Sequence, residues 1–301
     1  MTYGTAMSDS FPSLEGLDLP ASIPFTKMQG LGNDYVYVDT FACPVSNPAP
    51  LAVHVSDRHF GVGGDGLVLI GPSGVADFRM RIFNADGSEA EMCGNASRCV
   101  GKYLYEHKLT RKHELTLETG AGIRTLKLDV HRGIVSSVCV NMGFPRMAVT
   151  DIPMLAKGET FIAQEIVVDG VTWSGTAVSM GNPHLVVPVP DVAALNLPHI
   201  GPMFENHALF PKRVNTEFVQ VLTPEHIRMR VWERGSGETM ACGTGACASL
   251  VACATNGTTG RKAVVSLPGG DLLIEWSDGG EVFMTGPAVA VFSGEYLVPR
   301  M

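Results

Sequence analysis

Residues 79–84 read RMRIFN and lead to Cys93-Gly94, while residues 228–233 read RMRVWE and lead to Cys242-Gly243. Every position in the first stretch lies 149 residues before its counterpart in the second. A fixed offset of this kind is the sequence signature of a repeated supersecondary unit. The sequence therefore predicts two similar halves, each with a cysteine at the same place.

The same offset extends to other parts of the chain. It carries Gly32-Asn33 onto Gly181-Asn182, and it sets Gly66 opposite Asn215 without a gap. Two superposable halves that each bring a cysteine to one cleft would set two thiols facing each other across whatever binds there.

Composition narrows the class of protein. The chain has 301 residues, which suffices for two α/β domains with their own cores. It is 45% hydrophobic and 17% charged, with no apolar run long enough to span a membrane. The net charge of −8 comes without a basic cluster, so we expect no nucleic-acid surface and favour a small-molecule partner.

The seven cysteines are an odd number, and residues 1–21 do not resemble a secretory signal. We therefore expect residues 1–21 to be a flexible, solvated tail, the thiols to be reduced, and the protein to be cytoplasmic. The cysteine spacings include no C-x-x-C and no His at a ligand-spaced position, so no metal site is predicted.

The spacing of apolar residues supports a division of the chain into two halves. In the first, residues 78–82 alternate apolar and charged as in a half-buried strand, and apolar residues after Cys93 recur at helical spacing. In the second, an almost wholly apolar helix begins near Cys242 and stops at Asn256-Gly257. The halves are placed at residues 22–144 and 145–286. We expect residues 287–301 to form a strand that returns to the N-terminal half, although pattern alone does not decide which half it joins.

A thiol at a helix N-terminus has a stabilised thiolate, because unpaired N–H groups and the helix dipole favour negative charge. Both Cys93 and Cys242 are predicted to be so placed, and the glycine after each leaves room for a carboxylate at the same N–H groups. Two thiols flanking the carbon beside that carboxylate could remove a proton from one face and deliver one to the other. This chemistry is racemisation or epimerisation, and it needs no cofactor.

Several segments together resemble the diaminopimelate epimerase family from about Phe25 to the C-terminus. They are MQGLGND at 28–34, NADGSE at 84–89, CGN at 93–95, GNPH at 181–184, and ERG at 233–235 leading to ACGTGA at 241–246. The resemblance implies cofactor-independent interconversion of LL- and meso-2,6-diaminopimelate, on the route to lysine and peptidoglycan. It also implies an α/β (α+β) fold of two pseudo-symmetric domains, each a barrel-like mixed sheet around a central helix, with the active site in the cleft between them.

The same resemblance assigns roles to residues. It implies that Cys93 and Cys242 are the two acid/base thiols. His184 and Gly66 take supporting positions. Family members often form dimers, so a homodimer is one expected assembly. The implied substrate-binding set is Asn33, Asn84, Gly94, Asn95, Asn182, Asn215, Glu233, Arg234, Gly243 and Thr244.

The chain departs from the family's usual pattern at three positions. Ala96 and Ser97 stand where the family usually has Gly-Ala, and Gly66 stands where some members carry a substrate-contacting Gln. These changes bear on substrate identity and leave both thiols in place.

Other interpretations remain open. The protein could be a cofactor-independent racemase of another amino acid, such as histidine or proline, on the same fold. More distantly, Cys93 and Cys242 could form a thiol-disulfide redox pair, although redox motifs usually hold both cysteines in one segment. Residues 61–66 fit G-x-G-x-x-G, but a strand follows them, so a dinucleotide site is not predicted. The remaining five cysteines are interpreted as core residues.

Overall fold

A computed structural model describes residues 11–14 and 16–299. The chain divides into two compact units. The first unit comprises the described residues up to Val138 and those from Pro287 onward, and the second comprises Cys139–Gly286. The strand Ile134–Gly143 runs through the junction between the units, whereas the sequence pattern placed the boundary at residue 144.

Strands dominate both units. In chain order they are β1 (Ser22–Gly30), β2 (Asn33–Asp39), β3 (Gly66–Gly71), β4 (Phe78–Asn84), β5 (Glu89–Ala90), β6 (Glu114–Thr119), β7 (Gly122–His131), β8 (Ile134–Gly143), β9 (Gln164–Val168), β10 (Val171–Ser179), β11 (Pro183–Pro188), β12 (Asn215–Thr223), β13 (His226–Glu233), β14 (Gly237–Glu238), β15 (Lys262–Leu267), β16 (Gly270–Trp276), β17 (Val282–Gly286) and β18 (Val289–Leu297). The helices are α1 (Pro48–Ser56), α2 (Gly94–Glu106), α3 (Leu197–Glu205) and α4 (Gly243–Thr255), with a 3₁₀ turn at Val149–Asp151.

The first unit is a mixed sheet. β1 and β2 form a hairpin whose two turn residues, Leu31 and Gly32, have φ of 59° and 85°, as a tight hairpin turn requires. β2 pairs parallel with β3, β3 antiparallel with β4, and β4 parallel with β6. The C-terminal strand β18 pairs antiparallel with β1, with Ser22 opposite Leu297.

The second unit repeats this order. β10 pairs antiparallel with β11, β11 parallel with β12, β12 antiparallel with β13, and β13 parallel with β15. The registers also agree, since Tyr35 lies opposite Gly66 and His184 lies opposite Asn215. The predicted fold class, two similar mixed-sheet units each with a helix, is confirmed.

Helices α2 and α4 occupy the same place in the two units. Each has 13 residues, and each begins directly after a cysteine. α4 packs against β10–β13 and β15–β17 and buries nearly every side chain, which explains its almost wholly apolar sequence. It ends at Thr255, followed by the cap residue Asn256 and by Gly257 with φ of 70°.

The N-terminal segment is described only in part. Residues 1–10 and 15 of the expected tail lie outside the described residues. Among those described, Phe11 contacts the His54 ring at a centroid distance of 5.0 Å, and Leu14 is buried. Leu19 packs against the core of the first unit. Phe11, Leu14 and Leu19 are therefore partly or fully buried, whereas residues 12, 13, 16, 18, 20 and 21 are exposed.

In the described chain, the helices are too short or too polar to cross a bilayer.

Candidate active site

The two thiols have equivalent backbone positions. Cys93 is the N-cap of α2, with φ of −138°, and its sulfur accepts from the backbone N–H of Ala96 at 3.5 Å. Cys242 is the N-cap of α4, with φ of −118°. Each sulfur therefore lies beside the unpaired N–H groups and the positive end of a helix dipole, where an anion is favoured.

In the first unit, amide side chains surround Cys93. Its thiol donates to Asn33 Oδ1 at 3.4 Å, and Asn95 Nδ2 reaches the same oxygen at 3.4 Å. Asn33 Nδ2 donates to Asp65 Oδ2 at 2.7 Å. Because Asp65 can only accept when ionised, this bond fixes the Asn33 amide with its oxygen toward the thiol.

An ion-pair network supports this arrangement. Arg58 Nη2 lies 3.0 Å from Asp65 Oδ1 and 2.8 Å from Asp34 Oδ1. The largely buried Lys27 lies 2.6 Å from Asp34 Oδ2 and also donates to the Gly63 carbonyl. Burial alone would raise the pKa of Asp34, but hydrogen bonds from Arg58 and Lys27 outweigh it and lower that pKa.

Gly66 and Asn84 lie opposite each other in the β3–β4 pairing. Asn84 Nδ2 donates to Ser88 Oγ at 3.0 Å in the turn after β4. A Cβ on residue 66 would overlap the carbonyl oxygen of Phe83, so this backbone requires glycine there. Gly94 is the buried first residue of α2.

In the second unit, Cys242 is 5% exposed. Its sulfur lies 3.5 Å from Thr244 Oγ1, which also accepts from Asn182 Nδ2 at 3.3 Å. Burial raises the pKa of the Cys242 thiol well above its ordinary value, and the nearby carboxylates of Glu233 and Glu217 raise it further. In this environment Cys242 is a protonated thiol at neutral pH.

A buried pair extends the network around Thr244. Asn182 Oδ1 lies 3.0 Å from His184 Nε2, and His184 Nδ1 lies 2.7 Å from Glu217 Oε1. Both His184 and Glu217 have fully buried side chains. Sequence reasoning named Asn182 and His184 but missed Glu217. The available signal was a carboxylate directly before the apolar residues Phe218 and Val219 of a predicted strand, two residues after Asn215.

Glu233 is the last residue of β13, and it lies near Cys242, Glu217 and His184. Burial raises the pKa of Glu233, against the opposing effect of hydrogen bonds from Thr239 and Cys242. The Thr239 hydroxyl donates to Glu233 Oε1. Glu233 is thus a hydrogen-bond acceptor beside the Cys242 thiol.

Asn215 and Arg234 form a neighbouring pair. Asn215 donates to the Pro183 carbonyl at 3.1 Å and accepts from the backbone N–H of Arg234 at 3.0 Å. The Arg234 guanidinium is exposed and donates to the Lys212 carbonyl at 3.3 Å. Gly243 is the buried first residue of α4.

Each unit thus assembles part of the predicted site. The first brings together Asn33, Cys93 and Asn95, and the second brings together Asn182, His184, Glu233, Cys242 and Thr244. The other predicted residues, Gly66, Asn84, Asn215 and Arg234, have different hydrogen-bond partners or lie on neighbouring strands. Within residues 11–14 and 16–299, no group of three or more His, Cys, Asp or Glu side chains is arranged to hold a metal ion.

The diaminopimelate epimerase family profile matches residues 25–148 and 176–291. The chain belongs to this family. The diaminopimelate epimerase of Agathobacter rectalis is 57% identical over 279 residues, which cover 90% of this chain and 98% of the relative. That of Desulfovibrio desulfuricans is 53% identical over 287 residues, which cover 93% of this chain and 100% of the relative. The resemblance found in the sequence motifs is confirmed.

Solved structures with the family's fold are more distant in sequence. A hydroxyproline epimerase from Agrobacterium vitis, solved with bound trans-4-hydroxy-L-proline, has a TM-score of 0.67 at 15% identity and covers 91% of this chain and 92% of its own. A phenazine biosynthesis protein of the PhzF family from Bacillus anthracis has a TM-score of 0.66 at 19% identity, covering 92% and 99%. At these identities the likeness concerns the fold alone.

Proposed function

We propose that this diaminopimelate epimerase family member interconverts LL- and meso-2,6-diaminopimelate, a step toward lysine and peptidoglycan. Two relatives called diaminopimelate epimerase, at 53% and 57% identity, support this reaction. The observation that carries the mechanism is the repeated half-site, in which a cysteine caps a 13-residue helix at the same register of each unit.

In this mechanism one sulfur begins as a thiolate and the other as a thiol. The thiolate takes the α-hydrogen of the substrate as a proton, and the electron pair of the broken C–H bond stays on the α-carbon. The thiol delivers its proton to the opposite face of that carbon. The configuration inverts, and the two sulfurs exchange protonation states. The high pKa of Cys242 favours Cys242 as the proton donor in the resting protein.

The substrate carboxylate next to the reacting carbon is assigned to the helix N-termini. Gly94-Asn95 and Gly243-Thr244 supply backbone N–H groups there, and glycine allows close approach. These dipoles stabilise the negative charge that spreads onto the carboxylate as the proton leaves.

The remaining polar residues are assigned to the distal amino-acid end and the ammonium groups. Amide donors of Asn84 and Asn215 and the guanidinium of Arg234 suit a second carboxylate. Glu233 suits an ammonium group because it is an acceptor. We further propose that the protein acts in the cytoplasm and assembles as a homodimer, since family members often form dimers.

Two alternatives come from the sequence. A racemase of another amino acid would share the fold, but family membership and retention of Asn84, Asn215 and Arg234 favour a substrate with two amino-acid ends. A redox pair would not require the amides beside Cys93 or the carboxylates beside Cys242.

The test is proton NMR of the purified protein with LL-diaminopimelate in D2O, without added pyridoxal phosphate or metal. We expect the α-proton signal to disappear while the meso epimer appears. Absence of exchange with fully reduced protein would refute the proposed substrate, and a panel of other amino acids would then identify a different racemase. No exchange with any of them would favour the redox alternative.

A further inference from the structure

Glu217 occupies an unusual position for an acidic residue. It lies on β12 with a fully buried side chain, and the neighbouring residues of the strand are buried as well. One oxygen, Oε1, contacts His184 Nδ1 at 2.7 Å. Among the described residues, the other oxygen has no hydrogen-bond partner. A buried carboxylate with an unsatisfied oxygen is costly, so it suggests a role beyond packing.

The Glu217 carboxylate lies near Cys242, in space that is open because residue 245 is a glycine. A Cβ on Gly245 would lie 2.6 Å from Glu217 Oε1 and 3.2 Å from the Cys242 sulfur. The carboxylate and the sulfur therefore approach the first turn of α4 at the same point. Any larger residue at position 245 would have to displace one of them.

In the described part of the first unit, the equivalent positions carry different residues. At the 149-residue offset, Glu217 corresponds to Val68 and Gly245 corresponds to Ala96. His184 corresponds to Tyr35 in the matching strand register. The buried carboxylate, its imidazole partner and the glycine that admits them are thus all specific to the half-site of Cys242.

We propose that Glu217 is a positioning residue which, together with His184, holds the Cys242 sulfur in its thiol form in the resting protein. The two thiols then begin each turnover as unequal partners, one as acid and the other as base. This inference rests on the proposed function for its role in turnover, but the state of the thiol can be measured without substrate.

The other ionisable groups around Cys242 can be stated strand by strand. Of the strands packed against α4, β11 contributes His184, β12 contributes Glu217, and β13 contributes Glu233. β10 and β17 carry no titratable side chain. The remaining charged or titratable side chains on β13, β15 and β16 are partly or fully exposed: His226, Arg228, Arg230, Lys262, Asp271 and Glu275. Burial raises the pKa of Cys242 first, and the carboxylates of Glu233 and Glu217 add to that effect.

The experiment measures iodoacetamide labelling of Cys242 against pH, by mass spectrometry of the full-length protein. In the unmodified protein we expect the labelling midpoint to lie above the value of about 8.5 for free cysteine. In Glu217→Gln, which keeps the side-chain size, the midpoint should fall by about one pH unit, a tenfold gain in thiolate at a given pH. Glu217→Asp keeps the charge and should retain most of the elevation.

The controls separate charge from general loosening. Cys93 in the same samples should label as in the unmodified protein. Glu205→Gln removes another buried carboxylate of the second unit, one bonded to Arg213 and Trp232, and should leave the Cys242 curve in place.

Superposable Cys242 curves for Glu217→Gln and the unmodified protein would overturn the proposal. So would an equal shift at Cys93 or in the Glu205→Gln control. If Glu217→Gln does not fold, the unmodified protein decides the question alone. A labelling midpoint of its Cys242 at or below about 8.5, the value for free cysteine, would then overturn the proposal. Failure of the protein to epimerise diaminopimelate would refute the proposed function and leave these labelling results unaffected.

Discussion

Gly245→Ala is the perturbation that tests the packing of the Cys242 half-site most directly. Alanine is normally better than glycine inside a helix by about 1 kcal/mol. Here its methyl carbon would lie 2.6 Å from Glu217 Oε1 and 3.1 Å from Glu217 Cγ, whereas ordinary contacts begin near 3.4 Å. Glu217 is fully buried and bonded to His184, so it cannot swing into solvent.

Overpacking of this kind costs about 1–3 kcal/mol. The large overlap places Gly245→Ala toward the upper end, so we expect a net loss of about 1–2 kcal/mol after the gain in helix propensity. In a unit of this size that corresponds to a fall in Tm of about 2–8 °C. Scanning calorimetry of the full chain would measure it, with Ala96→Gly as the matched substitution at the equivalent position of α2.

A second substitution separates the clash from other effects. Glu217→Val installs the residue that the first unit has at this position, where Val68 coexists with Ala96. In that background Gly245→Ala should no longer destabilise, which gives a coupling of at least about 1 kcal/mol between the two sites. The reasoning is refuted if Gly245→Ala alone raises Tm, or if its effect is the same in both backgrounds.

Three further outcomes are expected. Cys93→Ser and Cys242→Ser should each lower turnover by orders of magnitude with an unchanged far-UV circular dichroism spectrum; near-normal activity would remove that cysteine from the mechanism. Asp65→Ala should lower kcat/KM about tenfold, because Asn33 loses the acceptor that fixes its amide; unchanged kinetics would contradict this. Burial raises the pKa of Cys99 to about 11, so only about 0.1% is thiolate at pH 8 and iodoacetamide should not label it there; rapid labelling would show that it is accessible.

Much of the fold could be predicted because the 149-residue repeat is visible in the sequence. The offset that relates Cys93 to Cys242 also relates the first residues of α2 and α4, and it recurs in the strand registers of Tyr35 with Gly66 and His184 with Asn215. Several residues that the structure places beside the thiols could be named from the sequence, since Asn33, Asn95 and Asn182 follow a glycine and both cysteines precede one.

Alternation alone leaves the partner of a side chain open. It places Arg81 and Arg230 on the outward faces of their strands. There they pair with Glu89 and Glu238 at 2.7 Å, in the same way in both units. Sequence periodicity reports which face a side chain is on, but it does not report which partner a neighbouring turn brings to that face.

Glu217 shows a second limit of reasoning from the sequence. The repeat drew attention to positions that both halves share, and Glu217 has only Val68 as its counterpart. Yet a two-base epimerisation needs one thiol and one thiolate at the start of a turnover, and two identical half-sites would give neither sulfur a preference. In the proposed mechanism the duplicated cysteines are the two bases, and the unshared residues around Cys242 supply the difference between them. Positions where the two halves disagree are therefore where this fold can assign the roles of acid and base.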